Sequence, residues 1–412
     1  MLTRIGTLVV SLVASAAGAA VLIGARSAAS RSARSDGLVV HEWGTFTSVA
    51  GADGQAVQWT PLSAPSDLPC FVTMLDPDSP KGDLGGVFLL DTTSHPTLAN
   101  VRGTVRMETP VMYFYSPTET EADVRVTFPH GLITEWYPAA TVPFAAPGTD
   151  MANATGAIEW SHVRVRPGGA TTFPREAAPS PYYEARATDA TPLEVGAQHE
   201  KFLFYRGIAN IPVPVRARLD DDGSVFVETA GTAVPTLVLF VNSARGKGYR
   251  IVDRPSERLT IAQPALTNNL DSLARDLETM LVGQGLYAAE ARAMVNTWRA
   301  SWFEAGTRLL YLVPRATTNA MLPVRIDPAP AQLTRVFVGR VEIITPEVEA
   351  AVSQAVRGHD IGAEKAYARF LEPIAARILA DSRSATERSD LQAAMRAVVA
   401  ARRGSAESQC GQ

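Results

Sequence analysis

Ala122-Asp-Val-Arg-Val-Thr-Phe128 places an apolar side chain at every second position without a fault. A period of two buries one face and wets the other, the pattern of a strand in an antiparallel sheet. The same period continues in both directions. Upstream, Val101, Val105, Met107, Val111, Tyr113 and Tyr115 share one parity, with Arg102, Thr104, Arg106 and Glu108 on the other. Downstream, Val213, Val215, Ala217 and Leu219 alternate with Arg216 and Arg218, and Asp220-Asp-Asp-Gly223 reads as a hairpin turn. Roughly a dozen strand candidates lie between residues 39 and 255, punctuated by Pro and Gly at short intervals, which suits a sandwich or a barrel.

The period changes near residue 266. Asn268–Val282 and Tyr287–Ala305 have helical spacing, with Met294, Val295, Trp298 and Trp302 on one face and Gly306 as a stop. Strands return at Arg308–Val313 and Arg335–Ile344. Thr345-Pro-Glu347 then supplies a capping residue, a first-turn proline and an acid near the positive end of a helix dipole. Helices are expected to run on to about Arg402, with Pro373 dividing one of them. The expected architecture is a β-dominated α+β fold. Its antiparallel β-sandwich-like body covers 38–345, with a helical insertion at 266–305. A C-terminal helical region covers 346–403, and 404–412 is a flexible tail. Met107-Glu-Thr-Pro-Val-Met-Tyr-Phe-Tyr115 echoes His199-Glu-Lys-Phe-Leu-Phe-Tyr205, as a duplicated β unit or a chance likeness of aromatic strands would.

Ahead of the body, Met1-Leu-Thr-Arg4 leads into an uncharged run from Ile5 to Gly24. About 20 apolar residues can cross a bilayer as a helix. Ala14-Ser-Ala16 also suits a signal peptidase. Residues 1–25 are therefore expected to be a signal peptide or an N-terminal membrane anchor, and 26–37 a linker. Arg26, Arg31 and Arg34 pull against export, but targeting helices often dominate weak flanking charge. The expected location is extracytoplasmic, in the periplasm or cell envelope, with a membrane attachment if the segment is uncleaved.

The chain has 412 residues, 46% apolar and 19% charged, a globular composition. A formal charge of −4 without a basic concentration argues against a nucleic-acid partner. Cys70 and Cys410 could bridge outside the cytoplasm, although the polar tail around Cys410 weighs against it. Serine-hydrolase elbow, Walker and dinucleotide fingerprints are absent from the sequence, so those classes lose weight and no cofactor is indicated.

Val40-His-Glu-Trp-Gly-Thr-Phe-Thr-Ser48 resembles the N-terminal signature of an uncharacterised family of exported bacterial proteins. Met107–Tyr115, Phe202-Leu-Phe-Tyr-Arg-Gly207 and Arg335-Val-Phe-Val-Gly-Arg340 resemble further blocks of it. The resemblance implies export and a shared fold over 39 to about 350, and it carries over no catalytic residue.

Candidate sites are dispersed. In a regular strand His41 shares a face with Trp43, Thr45 and Thr47, and Glu42 shares the other with Gly44 and Phe46, so neighbours His41 and Glu42 cannot grip one ion without a bulge. Glu200 is read on one face with Phe202, Phe204 and Arg206, too far along the strand from Arg206 to touch it, with both placed to meet Glu108 or Glu42 across the sheet. His41, Glu42, Glu108, Glu200 and Arg206 are the catalytic candidates. His41, His130, His162 and His199 are the metal candidates, although no metal site is predicted. Around His162 the parity slips, which implies a bulge. Trp43, Trp136, Tyr137 and Trp160 are candidates for stacking on a sugar polymer if exposed, and core residues otherwise. Asp76, Asp78 and Asp83 carry oxygen ligands without EF-hand spacing. The functional expectation is an envelope protein that binds a polymer or protein, or is structural. The alternative is an extracytoplasmic hydrolase, with or without metal, using His41 and clustered carboxylates.

Overall fold

The computed structural model describes residues 34–62, 67–75, 101–143, 154–358 and, beyond them, 360, 362, 367–381, 384–394 and 396–397. The N-terminal apolar segment and the Asp76–Asp83 stretch lie outside the described residues. Among the described residues no helix is long and apolar enough to cross a membrane.

The strands run in chain order as β1 Arg34–Ala50, β2 Thr73–Met74, β3 Val105–Tyr115, β4 Thr120–Pro129, β5 Gly131–Tyr137, β6 Thr155–Val165, β7 Leu193–Val195, β8 Gln198–Glu200, β9 Leu203–Ala209, β10 Arg216–Leu219, β11 Val225–Glu228, β12 Thr236–Ser243, β13 Gly246–Asp253, β14 Arg258–Ile261, β15 Gly306–Val313, β16 Val324–Asp327 and β17 Ala329–Ile343. The helices include α1 Leu270–Gly283, α2 Ala288–Trp302, α3 Arg315–Met321, α4 Pro346–Arg357 and α5 Leu371–Asp381, with a 3-10 turn at Pro181–Arg186, and residues 385–394 are helical as well. The fold is β-dominated α+β.

A nine-stranded sheet, in the order β13-β12-β15-β17-β1-β3-β9-β5-β2, forms the middle layer. One face packs on a five-stranded sheet, β16-β4-β6-β7-β8, and a three-stranded sheet, β10-β11-β14. Val40, Phe46, Phe114 and Phe337 meet Val126, Phe128, Trp160 and Val227 in that interface. The other face is covered by α1, α2 and the 3-10 turn, with Leu277, Met294, Trp298 and Trp302 meeting Trp43, Tyr113 and Phe204. Burying each such aromatic contributes about 2–3 kcal/mol. A third cluster joins α4, α5 and the residues after them to Val49, Trp59 and Ile344.

The alternating stretch that defines β4 keeps its pattern, with Ala122, Val124, Val126 and Phe128 buried. The Asp220–Gly223 turn joins antiparallel β10 and β11 as expected. The helical insertion also lies where its period places it, and Thr345 caps α4 by accepting from Val348 N. Four expectations need correcting. The large sheet is mixed, because β1 and β17 pair in parallel from Val39↔Gln332 to Ala50↔Ile343. Gly306, expected to stop a helix, opens β15 at φ +122°, and α2 ends earlier at Trp302. Arg106 and Glu108 were placed on a wet face, yet both are buried, because helices cover that side. The single parity through Tyr115 also breaks. A bulge with Thr109 at φ +44° sends Met107 and Met112 to the sheet–sheet core and Val111 and Tyr113 to the helix side. The two echoing aromatic stretches become neighbours, with β3 and β9 antiparallel.

Candidate functional site

β1 is flanked on both sides in the middle layer, so its two faces meet different surroundings. The expected split holds. His41, Trp43, Thr45 and Thr47 face the helices, and Glu42, Gly44 and Phe46 face the smaller sheets.

On the helix side, His41 is fully buried and its Nδ1 lies 2.8 Å from Glu290 Oε2. Glu290 sits in the first turn of α2, where the exposed N–H groups favour a carboxylate. It also accepts from Tyr115 Oη at 2.7 Å and from Tyr287 N at 2.7 Å. Tyr287 covers the imidazole, with ring centroids 4.4 Å apart, and is itself 46% exposed. Burial, with the charge of Glu290 and its hydrogen bond, pushes the Tyr115 hydroxyl far above its ordinary value, so it stays a donor. His41 Nε2 lies 3.5 Å from Gln332 Nε2. Thr334, paired with His41 across β1 and β17, lines a cavity of about 110 Å³ with Gln284, Arg315 and Arg335.

On the opposite face Glu42 is fully buried between two donors, Tyr205 Oη and Arg335 Nε, each at 2.5 Å. Arg335 Nη1 reaches Leu322 O at 2.6 Å, and its Nη2 finds no acceptor among the described residues. Burial and the Glu42 charge raise the Tyr205 hydroxyl well above its usual range.

Glu108 and Arg206 belong to a charged belt that crosses one end of the helix-side face. Arg308 and Arg340 both bond Glu342, at 3.0 and 2.7 Å, while Arg308 also bonds the carbonyl of Trp302 at the end of α2 and that of Glu304 just beyond it. Glu108 accepts from Thr47 at 3.2 Å and from Arg369 at 2.6 Å. Arg106 grips both oxygens of Glu135, at 2.8 and 2.9 Å. Arg206 reaches Asp67 at 2.8 Å and Thr109 Oγ1 at 3.0 Å. Burial alone would raise these carboxyls. Arg106 and Arg206 instead hold Glu135 low, Arg308 and Arg340 hold Glu342 low, and Arg206 with Arg369 brings Asp67 to about 2 from 3.8.

Glu200 does not share a strand face with Arg206. The chain changes sheets between Glu200, which ends β8, and Leu203, which opens β9. Glu200 instead binds Arg186, whose Nε and Nη2 lie 2.9 and 2.6 Å from its two oxygens, and Tyr182 Oη at 3.0 Å. Arg186 is in turn surrounded by Phe71, Phe173, Tyr182 and Tyr183, each ring centroid within 5.8 Å. The expected meeting of Glu200 with Glu42 or Glu108 does not occur. Each is held by its own cation, because isolated burial of a carboxylate is costly.

The histidines are dispersed as well. His130 lies in the β4–β5 turn at φ +54°. His162 sits at φ +57° on the anticipated bulge, exposed, with Nδ1 2.7 Å from Glu121 Oε1. His199 is half-buried on β8, opposite Glu194. Among the described residues no group of three or more His, Cys, Asp or Glu is placed to hold a metal. Trp43, Trp136, Tyr137 and Trp160 are all buried, so none offers a stacking face to a glycan. Their area is used in the cores, and Trp160 donates from Nε1 to Pro138 O at 3.0 Å.

Sequence reasoning missed Glu290, Arg335, Arg186, Glu135 and Asp67. Only Glu290 left a local signal, an acid three residues after Tyr287 at a helix start. No family model matches the chain, and no curated protein matches it.

Proposed function

We propose that the chain is an exported protein of the cell envelope whose β-rich body binds a partner or serves as a scaffold. The observation that carries this reading is that Glu42, Glu108, Glu200 and Arg206 are each bound to a charge partner of the fold. Their chemistry is engaged in joining layers, as in a body whose task is to hold shape. The disulfide-bonded state of Cys70 suits an oxidising compartment. The resemblance of the His41–Ser48 signature to exported bacterial proteins points the same way. Fractionation with N-terminal sequencing of the mature chain tests the location. Co-sedimentation with purified cell-wall material and cross-linking to envelope proteins test the binding. A full-length, untrimmed chain free in the cytosol would overturn the proposal.

A second reading, an extracytoplasmic hydrolase, is favoured by one arrangement. Glu290 holds the Nδ1 side of His41, and Nε2 faces the Gln332 amide nitrogen at 3.5 Å. Thr334, the strand neighbour of His41, lines a cavity with Gln284 and Arg315, which His41 itself does not line. Assays of the purified chain with ester, amide and glycoside substrates, with metal analysis, test it. Activity unchanged by His41→Gln would remove it.

A further inference from the structure

The middle sheet leaves an opening where β15 stops. Val313 pairs with Phe337, and β15 ends there because Pro314 has no N–H to give the ladder and turns the chain into α3. On the far side, β17 continues against β1 through Thr334 and Gln332. A cavity of about 110 Å³ lies beside the stretch of β17 that β15 no longer covers. Leu312, Val313 and Val336 give it apolar walls, and Gln284, Arg315 and Thr334 give it polar ones.

The polar groups are donors. Arg315 is exposed, and its Nη2 donates to Leu333 O at 2.8 Å, which anchors one edge of the guanidinium at the rim. It has no carboxylate partner among the described residues. Arg335 also lines the cavity, but Glu42 matches its charge, and Asn319 and Leu322 O take its Nη1. Thr334 Oγ1 accepts from Gln332 Nε2 at 3.2 Å, so its own hydrogen is left to give. The Gln284 side chain makes no hydrogen bond among the described residues, and its amide carries two donors. The last carbonyls of α1, at Met280, Leu281 and Val282, are taken by the amides of Gln284, Gly285 and Leu286, so they add no competing acceptor. No Asp or Glu stands among the described residues that line the cavity.

An unmatched guanidinium with neutral donors beside it and hydrocarbon behind complements a carboxylate on a short aliphatic chain. The guanidinium fork matches the carboxylate plane, and an ammonium would set donors against donors. We propose that this cavity binds a short-chain organic acid, with Arg315 as its charge partner, Thr334 and Gln284 as further donors, and Leu312, Val313 and Val336 against its chain. The proposal goes beyond both readings above and does not require His41 to react.

Thermal unfolding of the intact protein in sodium butyrate, at an ionic strength held constant with sodium chloride, tests it. A ligand of the native state raises the midpoint in a saturable way. Butyrate should do so, acetate should bind about fivefold more weakly because it offers less hydrocarbon, and butylammonium should not bind. Arg315→Gln should keep its midpoint in chloride and weaken butyrate about tenfold. Gln284→Glu, which sets a like charge beside the ligand, should weaken it about tenfold as well. Arg250→Gln, at an exposed arginine that does not line the cavity, should leave binding unchanged. No saturable shift with butyrate, butylammonium binding as tight as butyrate, or a butyrate affinity indifferent to Arg315→Gln and Gln284→Glu would overturn the proposal. Phosphate binding more tightly than butyrate would overturn the carboxylate assignment. The ligand series needs no variant, so it decides even if Arg315→Gln fails to fold.

Discussion

His41 Nδ1 and Glu290 Oε2 are 2.8 Å apart although 249 positions separate the two residues. Glu290 is the hub of that corner, because it also holds the Tyr115 hydroxyl and the Tyr287 amide. Glu290→Ala strands three buried or half-buried donors and should cost about 3 kcal/mol in denaturant melts. Glu290→Gln keeps an acceptor for His41 and a donor for the Tyr115 oxygen, so it should cost about 1 kcal/mol. Equal losses for the two variants would show that the corner is held by packing alone.

Glu42 and Arg335 face the opposite core and are both fully buried. Removing one charge should be far worse than removing both. Glu42→Ala should cost about 3–5 kcal/mol, and Tyr205→Phe only about 1 kcal/mol. The double variant Glu42→Leu with Arg335→Met should recover most of the Glu42→Ala loss, since an ion pair replaced by apolar groups of similar size is often near neutral. A double variant as unstable as the sum of its singles would refute this account.

The belt carboxyls predict the acid limb of stability. Asp67, Glu135 and Glu342 are held below their ordinary values by Arg206, Arg106, Arg308 and Arg340. A carboxyl lower in the folded than in the unfolded chain contributes stability that is complete above its unfolded value and lost as pH falls through its folded one. Urea midpoints should therefore be level near about pH 5–6 and fall steeply from about pH 4.5 toward 2. Glu135→Gln should lower the plateau and make the fall shallower. His162 is raised by its Glu121 hydrogen bond, so any contribution is present below 6.5 and fades as pH rises; its exposure keeps that limb nearly flat.

What the sequence made legible was periodic. The two faces of β1, the strand pattern of β4, the helical insertion and the bulge at His162 all follow from spacing of two or 3.6. What it concealed was non-local. Nothing near Glu42 announces Arg335, and nothing near Glu108 announces Arg369. Arg106 and Glu108 looked wet because a charge in an alternating strand normally is. They are buried because a second layer covers their face and each meets an opposite charge there. The Thr109 bulge was invisible for a related reason, since aromatic and apolar residues continue on both sides of it.

Gly44, inside the His41–Ser48 signature, is required by close approach. A Cβ there would fall 2.6 Å from Phe337 Cε1 and 3.1 Å from Pro110 Cα. Gly44→Ala must displace the Phe337 ring from its stack on Phe46, whose centroid is 5.0 Å away. The expected loss is about 1–3 kcal/mol. Gly44→Ala combined with Phe337→Leu should be less destabilised than the two single losses added together. Simple additivity would mean the signature glycine serves something other than this contact.

Cys70 gives the most direct check on the compartment. In denaturant without reductant the mature chain should titrate no free thiol, and after reduction it should titrate both of its cysteines. Non-reducing peptide mapping should join the tryptic peptide of Cys70 to that of Cys410. Constraining a loop of this length removes entropy from the unfolded chain, so reduction should lower stability by about 2–5 kcal/mol if the body unfolds as one unit. It should lower it much less if the C-terminal region detaches first, because the sheets would then melt at their own unchanged midpoint. A biphasic melt of the reduced protein, with the β1 and β17 signals in the later phase, is therefore the expected result. A single shifted transition seen by every probe would argue for one cooperative body and against a detachable C-terminal region.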